Sequence, residues 1–125
     1  PFGDLGRLQA EMFRAVRLVV DTGMHAKRWS REQSIEYMVA RTGMPEAEVT
    51  CEIERYVVWP GQAASYKVGQ LAMLRLREQA EKELGPKFDL RDFHEVILMN
   101  GPMPLAVLED VVQEWIKAQQ AKPSA

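Results

Sequence analysis

The chain predicts an all-α fold of about six helices in an irregular bundle, and three observations carry that prediction. Apolar residues recur at spacings of three and four over long stretches, the period of a helix with one buried face. Gly, Pro, Ser and Asp stand where such stretches begin and end. No run keeps the apolar–polar alternation of a half-buried strand, and no repeat or low-complexity block interrupts the pattern.

The first helix is expected from about Leu5 to about Lys27, with Asp4 as its cap and with Thr22 and Gly23 weakening its end. Leu5, Leu8, Met12, Val16 and Val19 form its apolar face. Ser30 and Gln33 make a capping-box pattern ahead of the second helix, which stops near Gly43. Pro45 opens the third at its first position, with Glu46 and Glu48 near the positive end, and it reaches about Val58. Pro60 and Gly61 mark the next break. A long fourth helix follows, with Met73, Leu76, Ala80 and Leu84 in one stripe, closed by Gly85 and Pro86. Asp89 caps a short fifth helix ending before Asn100 and Gly101. Pro104 starts the last, where Leu105, Leu108, Val112 and Trp115 keep helical spacing, and residues 119–125 are expected to fray.

Composition excludes more than it identifies. A chain of 125 residues, 46% hydrophobic and 27% charged, supports one globular domain with a core. Its net charge of −2 offers no general attraction to nucleic acid or acidic lipid, so no nucleic-acid partner is expected. No apolar run approaches a membrane span and no basic-then-apolar leader precedes the first helix, so no membrane partner is expected either. The single cysteine, Cys51, excludes an internal disulfide and a thiolate zinc cluster, and reads as a small buried hydrophobe. The abrupt start, with a helix signal after three residues, suits a cut piece as well as a natural terminus.

Three motifs bear on chemistry. His94 and Glu95 begin like the H-E-x-x-H of zinc peptidases, but Leu98 occupies the second histidine position, so His94 is read as a surface residue and no metal site is expected in this chain. Gly43 and Val49 have the spacing of a DNA-binding helix-turn-helix, yet Glu46, Glu48, Glu52 and Glu54 outnumber Arg55 on the would-be recognition helix and would repel phosphate. In WPGQAASYKVG, small residues precede Tyr66 and Lys67; the pattern fits tight helix packing around a core tyrosine, or a phenol held over a cleft to donate to an oxyanion.

The stripe on the first helix is the remaining candidate. Arg14, Arg17, Asp21 and His25 follow one another at spacings of three, four and four. At roughly 100° per residue they share an arc of about 80° opposite the apolar face. Periodicity leaves open whether this is a solvated surface or the wall of a site.

The runs LGRLQAEMFRAVRLVVDTGMHAKRWSREQSIEYM and ERYVVWPGQAASYKVG resemble the C-terminal part of a bacterial family of unknown function related to gluzincin metallopeptidases. The resemblance extends from Leu5 to Trp115. It implies that the chain is the C-terminal helical piece of a longer metallopeptidase-like fold, beginning after the last zinc ligand. Zinc, and the glutamate that activates its water, would then belong to the complete protein, and this chain alone would be inert. The resemblance makes Tyr66 the candidate oxyanion donor on the far cleft wall, although Gln62 and Gly69 depart from the tyrosine-rich form of related oligopeptidases. It makes Arg14, Arg17, Asp21, His25 and Lys67 candidates for substrate contact or support, with Asp21 holding Arg17 and freeing a guanidinium edge for a peptide carboxylate or backbone oxygen. The implied partners are the missing N-terminal catalytic part and a peptide substrate. In the isolated chain the stripe should lie exposed as half of a site, and apolar faces should favour a homodimer or aggregation. The competing expectation is a freestanding helical interaction module without catalysis.

Overall fold

The structure, a computed structural model, describes residues 2–122. Six α-helices follow one another: α1 (Phe2–Lys27), α2 (Arg31–Thr42), α3 (Glu46–Val58), α4 (Gln62–Leu84), α5 (Leu90–Met99) and α6 (Leu105–Ala121). A single 3-10 turn, Gly85–Lys87, separates α4 from α5, and no strand occurs among the described residues. The all-α expectation and the order of elements are borne out.

The punctuation read from sequence maps onto real caps. The Ser30 side chain accepts a hydrogen bond from the Gln33 amide at 3.0 Å, and Gly43 closes α2 in the left-handed region at φ 66°. The Asp89 side chain accepts from the Arg91 amide at 2.7 Å. Some boundaries shift. Asp4 lies inside the first turn of α1 instead of capping it, Pro45 and Pro104 occupy the N-cap positions of α3 and α6, and α6 persists past Gln119 to Ala121. The rest of the expected frayed tail, 123–125, lies outside the described residues.

The helices gather into two compact units, Pro1–Val68 and Gly69–Ala125, whose boundary falls within α4. In the first unit, Val16 and Val20 of α1 pack with Ile35 and Met38 of α2 and with Val49 and Ile53 of α3. Each of these side chains is buried, and together they exclude water from the three-helix contact. The turn between α1 and α2 depends on a close approach. Trp29 folds back so that its amide donates to the Gly23 carbonyl at 3.0 Å, and a Cβ at Gly23 would stand 2.7 Å from the indole. Gly23 therefore does not end the helix; it makes room for Trp29 against it.

The apolar face expected for α1 is corrected here. Leu5, Leu8, Met12 and Val19 are exposed, and only Val16 of that set is buried. Residues 2–12 are all exposed, and core contact begins with Phe13. The buried surface is made instead by two adjacent rows four residues apart, Val16–Val20–Met24 and Phe13–Arg17–Asp21, because the polar members of the second row find partners on α4.

The second unit has its own core of Leu76, Ala80 and Leu84 from α4, Phe93 from α5, and Leu108, Val112 and Ile116 from α6. Met73 and Leu105, expected in the same stripes, are partly exposed. Phe88, Phe93 and Trp115 meet with ring centroids 6.1 to 6.5 Å apart.

Candidate functional site

The side chains with chemistry to offer converge in the first unit, where α1 runs beside the start of α4. Gly61, at φ 83°, turns the chain into α4 and leaves the amides of its first turn facing α1. Asp21 meets them with both oxygens: Oδ1 accepts from the Gly61 amide at 3.0 Å and Oδ2 from the Ala64 amide at 2.9 Å. A carboxylate set against the positive end of a helix is favourably placed, and this one is only 1% exposed. One turn later, His25 Nε2–H donates to the Tyr56 carbonyl in the last turn of α3 at 2.9 Å, which puts the ring proton on that nitrogen, and the same nitrogen lies 3.7 Å from Asp21 Oδ1. These two residues thus join the ends of three helices.

The two arginines of the stripe lie on the other side of Asp21. Arg17, 5% exposed, donates from Nη2 to Gln62 Oε1 at 3.1 Å, while its buried Nε has no hydrogen-bond partner. Its guanidinium carbon is 4.7 Å from the ring centroid of Tyr66 and 5.3 Å from that of Tyr56. Arg14 lies over the same Tyr66 ring at 4.3 Å. One phenol is therefore in contact with two guanidinium groups, an interaction favoured by the ring quadrupole. Gln62 completes the group. Its Oε1 also accepts from Arg55 at 3.1 Å, and its Nε2 donates to the Tyr66 hydroxyl oxygen at 3.2 Å, so the Tyr66 proton is left to donate elsewhere.

The nearby carboxylate is already engaged. Glu52 accepts from the Tyr56 hydroxyl at 2.6 Å and from Arg55 at 2.5 Å. Partial burial opposes ionisation of Glu52, but the hydrogen bonds from Tyr56 and Arg55 outweigh it and hold its carboxyl below the usual range. Burial first, and the bond to Glu52 second, push the Tyr56 phenol well above its ordinary value. Among the described residues, neither Arg14 nor Arg17 has a carboxylate within ion-pair distance.

The sequence-derived candidates therefore come together in part and separate by role. Arg14, Arg17 and Tyr66 form one cluster, Lys67 follows Tyr66 as a half-buried neighbour, and Asp21 and His25 serve helix ends. The expectation of an exposed half-site is corrected: Arg17 and Asp21 are buried against partners within the chain. The expected Arg17–Asp21 pair is also replaced, because the α4 amides occupy the carboxylate and Gln62 takes the guanidinium. Cys51 is exposed on α3, not buried, and His94 is exposed as expected. Glu52, Arg55, Tyr56 and Gln62 were not recognised as members of the group. Their signal was present in the i, i+3, i+4 spacing of Glu52, Arg55 and Tyr56 and in Gln62 one turn before Tyr66.

The fit to a zinc ion is poor. Asp21 and His25 are only two donors, and both Asp21 oxygens already hold backbone amides. Among the described residues no group of three or more His, Cys, Asp or Glu side chains could hold a metal. No described helix is long and apolar enough to cross a membrane.

These features define an all-α protein whose polar centre is a tyrosine in contact with two guanidinium groups at a helix junction. The chain belongs to the family DUF885, bacterial proteins of unknown function, which it matches over residues 1–112. It is also similar to the crystal structure of the "putative lipoprotein from Colwellia psychrerythraea", at 63% sequence identity and a TM-score of 0.91, over 94% of this chain and 20% of that one. The chain thus spans about one fifth of that protein's length, 20%. No curated protein matches it. The gluzincin relationship expected from sequence is part of neither match.

Proposed function

We propose that this chain is a helical cleft wall of a longer zinc-dependent peptidase, in which it contacts the substrate and supplies no metal ligand. The observation that carries this reading is the Tyr66 cluster. Tyr66 is half exposed, its hydroxyl oxygen is held by Gln62, and its own proton remains available to a substrate oxygen. Two positive charges beside the ring favour negative charge developing nearby, the requirement for a donor to the tetrahedral intermediate of peptide hydrolysis. The greater length of the similar Colwellia chain supports a complete protein with room for zinc ligands elsewhere.

In this reading Tyr66 is the oxyanion donor, Arg14 and Lys67 face the peptide, and Gln62 and Arg17 orient the phenol. Asp21 and His25 act through position, by fixing the start of α4 and the end of α3 against α1. Tyr66→Phe in the complete protein is expected to lower kcat about 100-fold with bound zinc unchanged, since removing one preformed oxyanion donor has roughly that effect. Metal analysis beside steady-state kinetics checks it; unaltered kcat removes Tyr66 from the mechanism.

A second reading, a non-catalytic helical interaction module, is favoured by one observation. Phe2, Leu5, Leu8 and Met12 form an exposed apolar row on the first half of α1. A complete protein that folds, binds no zinc and hydrolyses no peptide would favour the module.

A further inference from the structure

We infer that Arg14 and Arg17, which both contact the Tyr66 ring, form a binding site for a carboxylate. Three guanidinium groups, those of Arg14, Arg17 and Arg55, meet around Gln62 and Tyr66, and one carboxylate, Glu52, lies among them. That carboxylate is taken by Arg55 and Tyr56. Asp21 is taken by the Gly61 and Ala64 amides at the start of α4. Arg17 lies near enough to Glu52 to favour its charge, but neither Arg17 nor Arg14 has a carboxylate within ion-pair distance among the described residues, and the two share a single ring.

Burial makes this imbalance consequential. Arg17 is 95% covered, since 5% of it remains exposed, and its Nε has no acceptor. A buried guanidinium is stable when its donors and its charge are both met, and Gln62 meets one donor with a neutral oxygen. Cation–ring contacts with Tyr56, Tyr66 and Phe13 soften the cost without neutralising it. Arg14, less buried than Arg17 and in contact with the same Tyr66 ring, gives a ligand access to this field. A peptide backbone oxygen would satisfy a donor and leave the charge. A carboxylate satisfies both, with two oxygens that match a guanidinium edge.

Two sources share this chemistry: the C-terminal carboxylate of a bound peptide, or an Asp or Glu side chain from the remainder of a longer protein. The first rests on the peptidase reading; the second does not. The test reads binding and melting, not turnover, so a complete protein that hydrolyses nothing can still keep the site. Acetyl-Ala-Ala and its C-terminal carboxamide are titrated into the complete protein and its Arg14→Gln variant by calorimetry, with inorganic phosphate as a third probe. A peptide source gives at least tenfold tighter binding of the free acid than of the amide, and Arg14→Gln abolishes that preference. An internal source gives no preference; instead the variant melts several degrees lower at pH 7, and the deficit begins to shrink below about pH 4 and vanishes as pH falls through the lowered value of the paired carboxylate. The inference is overturned if neither peptide is preferred and Arg14→Gln melts at or above the parent temperature at pH 7, the result for two like charges with nothing between them. Phosphate binding tighter than the free acid would also overturn it. Arg17→Lys, which keeps the charge and loses the planar fork, should retain the melting temperature better than Arg17→Gln while weakening the acid preference.

Discussion

Tyr56 shows how one side chain can belong to the core and to the polar cluster at once. Its ring is 1% exposed within the first unit, and its hydroxyl reaches Glu52 at 2.6 Å. Loss of that hydroxyl removes a hydrogen bond to a charged acceptor, so Tyr56→Phe is expected to destabilise the fold by about 1 to 2 kcal/mol in chemical denaturation. The pH dependence has two limbs. The folded Glu52 carboxyl sits below its unfolded value, so its contribution is present above about pH 4.3 and is lost as pH falls through the folded value. The folded Tyr56 phenol sits above its unfolded value, so its contribution is present below about pH 10 and is lost as pH rises beyond it. Tyr56→Phe should flatten both limbs of the stability–pH curve; unchanged limbs would mean that the pair contributes nothing to folding.

Among the elements, α1 carries the longest-range information. Its contacts to the start of α4 span 40 residues from Asp21 to Gly61, 43 from Asp21 to Ala64 and 45 from Arg17 to Gln62. Asp21→Ala would remove a buried carboxylate and leave the Ala64 amide without its acceptor, an expected loss of about 3 kcal/mol. Faster hydrogen exchange at Gly61 and Ala64 should accompany it, and unaltered protection there would show that Asp21 does not hold α4.

The same contacts explain what was legible in the sequence. The caps at Ser30, Gly43 and Asp89 are local chemistry, and each was readable from a few adjacent residues. The buried face of α1 was not. Local periodicity ranks Leu5, Leu8 and Met12 as core and Arg17 and Asp21 as surface, but residues more than 40 positions away supply partners for the polar pair and none for the apolar row. Tyr66 and the two arginines were legible as separate motifs; their meeting around Gln62 was visible only once the first turns of α4 were placed against α1.

At the scale of the molecule, the chain exposes many large apolar side chains. Phe2 is 90% exposed, Leu98 75% and Met99 78%, and Leu5, Leu8, Leu71 and Leu74 are each half exposed or more. Single exposed apolar residues are ordinary, whereas rows of them on helices mark surfaces that associate. The isolated 125-residue chain is therefore expected to self-associate, with an apparent mass above 14.3 kDa in sedimentation that rises with concentration. A concentration-independent monomer would show that these rows need no cover.

Zinc content and peptide hydrolysis, measured side by side on the complete protein and on this chain, test the cleft-wall reading most directly. The expected result is a complete protein that holds zinc and cleaves peptides in a chelator-sensitive manner, beside a 125-residue chain that does neither. Chelator-sensitive cleavage by the chain alone, or a folded complete protein without zinc or hydrolysis, would contradict it.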